Sequence, residues 1–121
     1  MAVPLLVADD SRLSRRSVIK ALPPELTFSI TEAVNGREAI EHLQSDSFKL
    51  LLLDLTMPEV DGVGVLEFIS THAVNIDVIV ISADFQPEKQ RIVLELGAKK
   101  FIRKPLDSEE LAMTLFELGY L

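Results

Sequence analysis

Five side chains spread along most of this sequence carry chemistry that belongs together: Asp9, Asp10, Asp54, Ser82 and Lys104. Each ends or closely follows a short apolar run. Pro4-Leu5-Leu6-Val7-Ala8 precedes the aspartate pair, Leu50-Leu51-Leu52-Leu53 precedes Asp54, Val78-Ile79-Val80-Ile81 precedes Ser82, and Phe101-Ile102-Arg103 precedes Lys104. Three carboxylates brought together repel one another, and a hard divalent cation relieves that repulsion. Magnesium suits the task, because it takes oxygen ligands in octahedral geometry and keeps several waters. Asp9, Asp10 and Asp54 can supply oxygens directly or through water, with a backbone carbonyl just after Asp54 as a further donor. With its charge screened, Asp54 can attack phosphorus, as carboxylates do when they form aspartyl-phosphates. A phosphoryl group in transfer spreads charge over three equatorial oxygens. The metal can hold one, the Lys104 ammonium a second, and the Ser82 hydroxyl or nearby amides a third.

Taken one at a time, each residue has a plainer use. Asp9 or Asp10 could cap a helix, although one cap suffices and two carboxylates stand side by side. Asp54 could satisfy loop amides, Ser82 could be a turn serine, and Lys104 could be a solvated lysine. Their joint placement at the ends of apolar runs favours the chemical reading.

The elements that must position these groups alternate along the chain. Residues 4–8 form a continuous apolar run, as a strand buried on both faces does. Residues 11–22 read as a helix with Asp10 or Ser11 as N-cap, stopped by Pro23-Pro24. Residues 26–33 read as a strand, Asn35-Gly36 as a turn, and 37–44 as a helix with Ala39, Ile40 and Leu43 on one face. The pattern repeats with a strand over 49–54, a turn at Asp61-Gly62 and a helix over 63–72 with Leu66 and Ile69 inward. A strand over 77–82, a helix over 87–96 closed by Gly97, a strand over 101–103 and a helix over 108–118 complete the chain. Five strands alternating with five helices predict an α/β domain with a parallel sheet and helices on both faces. Ligands of such sheets bind beyond the carboxyl ends of the strands, the edge to which all five residues fall.

A length of 121 residues fits one domain over 1–121, and 48% hydrophobic composition is enough for a sizeable core. The absence of cysteine excludes disulfides, thiolate zinc sites and cysteine nucleophiles. Lys+Arg of 12 against Asp+Glu of 19 gives a net charge of −7, which disfavours direct nucleic-acid binding. The N-terminus lacks a basic secretion-signal region, and no apolar run approaches membrane-spanning length. A cytoplasmic domain without a membrane partner is expected.

Six stretches then form a signature in order: Val7-Ala8-Asp9-Asp10-Ser11, Ala33-Val34-Asn35-Gly36-Arg37-Glu38-Ala39, Leu53-Asp54-Leu55-Thr56-Met57-Pro58-Glu59-Val60-Asp61-Gly62, Ile81-Ser82-Ala83, Gly97-Ala98 and Lys104-Pro105-Leu106. On these stretches the sequence resembles the response-regulator receiver domain of two-component systems, over essentially its whole length. The resemblance implies a doubly wound, flavodoxin-like (βα)5 fold with strand order 2-1-3-4-5. It implies Asp54 as phospho-acceptor, with Asp9, Asp10, Asp54 and the Thr56 carbonyl holding Mg2+. Ser82 is implied as the switch hydroxyl, and the Lys104-Pro105 bond is implied to be cis, which aims Lys104 at the site. Phe101 is implied as the coupled switch aromatic, although by itself it reads equally as a core phenylalanine. Thr56 and Asp84 stand where the family varies phosphoryl lifetime. Serine at 82 keeps the hydroxyl of the usual threonine, and phenylalanine at 101 loses only a phenol. Receivers catalyse their own phosphorylation and dephosphorylation and are not enzymes otherwise. The implied partner is a sensor histidine kinase or histidine phosphotransfer protein, and the implied response is a change in the surface formed by the fourth helix, fifth strand and fifth helix.

Two surfaces invite partners. Arg12, Arg15 and Arg16, with Lys20 beyond, form a basic stripe on the first helix; it reads as a solvated face or as a contact for an acidic kinase or phosphotransfer helix. In the last helix Leu111, Leu115 and Leu118 form a core stripe, while Met113, Phe116 and Tyr120 form a second apolar set, expected to meet a homodimer mate or a following domain. A chain ending soon after the fifth helix is expected to carry no DNA-binding or catalytic output of its own, leaving a stand-alone signalling protein, a phosphorelay shuttle or a receiver cut from something larger. The competing enzyme reading is an aspartate-nucleophile phosphatase of the haloacid-dehalogenase kind, which places Asp-x-Asp after its first strand. Here the aspartates are adjacent and the best nucleophile follows the third strand. Nucleotide binding is weaker still, because Gly62-x-Gly64 lacks a third glycine and Glu67 stands in its place.

Overall fold

A computed structural model describes residues 2–121. Its elements run β1 (Val3–Ala8), α1 (Arg12–Lys20), β2 (Phe28–Ala33), α2 (Gly36–Ser45), β3 (Leu50–Leu53), α3 (Gly62–Thr71), β4 (Asp77–Ser82), α4 (Pro87–Glu95), β5 (Lys100–Arg103) and α5 (Ser108–Glu117). All strand pairings are parallel and the order is β2-β1-β3-β4-β5, the flavodoxin-like arrangement.

The three inner strands are continuous apolar runs because both of their faces are covered. Alternate side chains serve different cores. Leu6, Ala8, Leu51, Leu53, Val78 and Val80 pack with Ala39 and Leu43 of α2, Val65, Leu66 and Ile69 of α3, and Val93 of α4. Leu5, Val7, Leu50, Leu52, Ile79 and Ile81 pack with Val18 of α1 and with Leu111 and Leu115 of α5. Burying a leucine in such a layer contributes roughly 1.5–3 kcal/mol. This leaves little freedom for strand register, and register sets where each strand's terminal polar residue emerges.

Several boundaries differ from the sequence pattern, for local reasons. The first helix is capped by Ser11, whose hydroxyl accepts from Ser14 N at 3.1 Å, so neither Asp9 nor Asp10 serves as its N-cap. It ends at Lys20, and a tight turn continues to Leu22. The second strand starts at Phe28 rather than 26 because Leu26 N bonds Pro23 O at 3.2 Å in a turn. Among the described residues, no helix is long and apolar enough to cross a membrane.

Candidate functional site

Strand order reverses at β1 and β3, and a crevice opens beyond their carboxyl ends. Asp54 N donates to Ala8 O at 2.9 Å and Asp9 N to Ala33 O at 3.1 Å, so the sheet ladder itself sets both aspartates at that crevice. One carboxylate oxygen each from Asp9, Asp10 and Asp54 lies within 4.8 Å of the others. Asp9 and Asp54 are buried, while Asp10 is exposed.

Lys104, just past β5, reaches into this cluster. Its Nζ stands 2.8 Å from Asp9 Oδ2 and 3.5 Å from Asp54 Oδ1. Its main chain is fixed as well, since Lys104 N donates to Ser82 O at 3.0 Å, and the Lys104–Pro105 peptide is cis. Asp54 is only 7% exposed, and burial pushes its carboxyl up to about 6. Lys104 opposes that shift and Asp9 adds to it. A buried carboxylate beside two further ones, with one ammonium for relief, is short of positive charge.

The remaining sequence-derived candidates surround this centre. Ser82 ends β4, buried, and its hydroxyl accepts from Asp84 N at 3.1 Å. Asp84 is thereby held next to the hydroxyl, at the start of the β4–α4 loop. Thr56 is exposed in the loop after β3, between Leu55, whose carbonyl accepts from Gly62 N at 2.9 Å, and Pro58, whose carbonyl accepts from Val60 N at 2.8 Å. Phe101 is not part of the centre; it lies half-buried on β5 against the core that contains Val80 and Val93.

The loop after β3 is held close to the sheet by glycines. A Cβ on Gly62 would stand 2.5 Å from Asp54 O, and one on Gly36 would collide with Val60 O. Asn35 is buried, caps α2 through Oδ1 to Glu38 N at 2.8 Å, and donates from Nδ2 to Glu59 in this loop.

Two surface expectations need correction. Arg15 does not belong to a solvated stripe: it is 9% exposed, with Nε 2.7 Å from Glu32 Oε1 and Nη1 donating to Asp9 O at 2.8 Å. A glutamate on the neighbouring edge strand draws it inward, leaving Arg12, Arg16 and Lys20 exposed. Tyr120 does not share a face with Met113 and Phe116. It packs against the core around Leu111 and Leu115, and its hydroxyl bonds Lys49 O at 3.0 Å and Asp77 Oδ2 at 2.9 Å at the opposite end of the sheet. Met113 and Phe116 remain 66% and 67% exposed.

Sequence reasoning passed over Ser14, whose hydroxyl donates to Asp9 Oδ2 at 2.6 Å, as well as the inward role of Arg15. A hydroxyl in the first turn of a helix that begins beside two carboxylates was the signal available for Ser14.

The donor set fits a hard cation. Three carboxylates converge, oxygen is their only donor type, and a single lysine offsets their charge. The response regulator receiver domain family model matches residues 5–116, and the chain belongs to that family. It is a signalling receiver of the two-component, CheY-like type. The chain is 32% identical over 109 residues to chemotaxis protein CheY of Bacillus subtilis (strain 168), covering 90% of this chain and 91% of that protein. It is 33% identical over 115 residues to the transcriptional regulatory protein ZraR of Klebsiella oxytoca, covering 95% of this chain but 26% of that protein. Across several such longer curated relatives the chain spans only 25% to 27% of their length. Among solved structures, the CheX–CheY–BeF3–Mg2+ complex of Borrelia burgdorferi superposes with a TM-score of 0.85 at 31% identity, covering 96% of this chain and 88% of that one. The receiver domain of Francisella response regulator 1452 gives 0.82 at 26% identity, covering 96% and 95%.

Proposed function

We propose that residues 1–121 act as one cytoplasmic receiver domain that accepts a phosphoryl group on Asp54 from the phosphohistidine of a sensor histidine kinase or phosphotransfer protein, with Mg2+ as cofactor. The observation that carries this reading is the position of Lys104 Nζ between Asp9 Oδ2 and Asp54 Oδ1, beside three converging carboxylates. Asp9, Asp10, Asp54 and the Thr56 carbonyl would hold the magnesium. When bound, the metal supplies charge neutralisation for the attacking carboxylate and for one phosphoryl oxygen. An Asp54 oxygen then bonds phosphorus as the P–N bond breaks and the imidazole leaves. Lys104 pairs with a phosphoryl oxygen as a point charge. Ser82 exchanges the Asp84 amide for a second phosphoryl oxygen, and Phe101 repacks as the β4–α4 loop follows. The altered surface is that of α4, β5 and α5. Water later attacks phosphorus, releasing inorganic phosphate and regenerating Asp54, with Thr56 and Asp84 at the rim tuning its approach. The domain thus serves as a signalling element and turns over no substrate beyond its own phosphoryl group.

Lys104 borders a surface that a donor protein could dock on. A groove of about 330 Å3 adjoins Lys104, lined by Ser14, Ser17, Val18, Pro105 and Leu106. Leu13 stands beside it 75% exposed, with Arg12 and Arg16 also exposed on the same helix. A largely apolar groove beside Lys104, on a helix that also exposes arginines, suits a partner helix that presents its histidine between apolar and acidic residues. Met113 and Phe116 on α5 are offered to a second copy or a following domain.

Intact mass after incubation with acetyl phosphate tests the reading. One phosphoryl adduct is expected, dependent on Mg2+ and missing from Asp54→Asn. An unmodified wild-type protein that binds Mg2+ would refute self-catalysed uptake. Multiple turnover of a small phosphate ester would instead identify an aspartate-nucleophile phosphatase.

A further inference from the structure

An ionised carboxylate offers about four lone-pair positions. At Asp9 three of them are taken. Oδ1 accepts from Ser11 N at 2.9 Å, while Oδ2 accepts both from Ser14 Oγ at 2.6 Å and from Lys104 Nζ at 2.8 Å. The open position is therefore on Oδ1. The Ser14 bond has the short length of a hydroxyl donating to a charged oxygen. The next residue of the same helix, Arg15, holds the Asp9 carbonyl at 2.8 Å and is itself fixed by Glu32. One turn of α1 thus sets both the main chain and the side chain of Asp9.

Lys104 cannot be a constant partner of Asp9. It stands 3.5 Å from Asp54 Oδ1, and a phosphoryl group there would draw the ammonium toward its anionic oxygens. Asp9 Oδ2, buried, would then depend on Ser14 alone. The terminal torsion of an aspartate is broad, so a carboxylate without that anchor can rotate.

We infer that Ser14 is a positioning residue for the metal site: its hydroxyl fixes the Asp9 carboxylate so that Oδ1 faces the cation, and it keeps Oδ2 bonded when Lys104 moves to the phosphoryl group. This rests on the proposed reading of Asp9, Asp10 and Asp54 as Mg2+ ligands. Groups that orient metal ligands in this way typically govern affinity by 10–100-fold.

Titration calorimetry with MgCl2 on the wild-type protein, Ser14→Ala and Ser14→Thr tests it, beside metal-free thermal melts. Ser14→Ala is expected to lose about tenfold in Mg2+ affinity, and Ser14→Thr, which keeps the hydroxyl, to stay within about threefold of wild type. The metal-free Tm of Ser14→Ala is expected to fall somewhat, because the bond to buried Asp9 is lost, so the Mg2+ titrations are compared at a temperature where every variant is folded. Ser14→Ala binding Mg2+ as tightly as wild type would overturn the inference while leaving the metal site standing. A wild-type protein that binds no Mg2+ would remove the site, and the inference with it.

Discussion

Asn35 Nδ2 donates to Glu59 Oε2 at 3.0 Å, joining the N-cap of α2 to the loop that rims the acidic crevice. Glu59 holds a left-handed backbone, φ 67°, and also accepts from Arg37 Nε at 3.0 Å. Asn35→Ala removes the cap and this tie together. It is expected to destabilise the domain by roughly 1–2 kcal/mol, read as a lower urea midpoint at unchanged m. Glu59→Gln retains an acceptor oxygen at an exposed position and should shift the midpoint far less. Equal losses in the two variants would show that the cap contributes little.

The raised carboxyl of Asp54 makes stability depend on pH. With its folded value near 6, above the usual aspartate range, the native state holds the proton more tightly than the unfolded chain does. Its contribution is fully present below about pH 4 and is lost as pH rises through 6. Without metal, Asp54→Asn is therefore expected to stabilise the protein at pH 7 by roughly 1–2 kcal/mol, less than the full shift converts to because solvent reaches the crevice. The gain should shrink toward pH 4. Denaturant melts of both proteins in EDTA at pH 4, 5.5 and 7 check it, and a gain independent of pH would contradict the assignment.

Ligand binding to the native state raises apparent stability by mass action. Millimolar MgCl2 is expected to raise the Tm of the wild-type protein, and EDTA to reverse the gain. Asp10 is exposed and spends no hydrogen bond on capping α1, so Asp10→Asn should leave the metal-free Tm in place while reducing the Mg2+ increment. Scanning calorimetry with and without metal reads both effects. An undiminished increment would exclude Asp10 as a ligand.

Tyr120 tests the separation between the two ends of the sheet. Tyr120→Phe removes hydroxyl bonds to Lys49 O and Asp77 Oδ2 and is expected to cost about 1–2 kcal/mol. Phosphoryl uptake on Asp54 should proceed at the wild-type rate in conditions where the variant is folded. A slowed uptake would mean that the two ends communicate.

The order of strands and helices was legible in the sequence because burial on both faces leaves unbroken apolar runs in β1, β3 and β4, and because the polar residue closing each run is conspicuous. The convergence of Asp9, Asp10, Asp54 and Lys104 followed from the topology rule for parallel sheets. Arg15 was misread because helical spacing fixes a direction, not a partner, and the partner that buries it, Glu32, lies on another element. Tyr120 was misread for a related reason: it lies beyond α5, where helical periodicity no longer sets which way a side chain points. The Ser14 bond to Asp9 was hidden because a serine in a first helical turn is ordinary by composition. Only the close return of the chain beside Asp9 gives it a role.

Lys104 and the Asp9 it pairs with are 95 positions apart in the chain. A ribosome therefore makes Asp54 and the two other carboxylates of the cluster well before it makes the cation. Until residue 104 has been added and the fifth strand has docked, the nascent domain holds an anionic pocket without its ammonium. A domain lacking its fifth strand therefore lacks the cation that meets both Asp9 and Asp54.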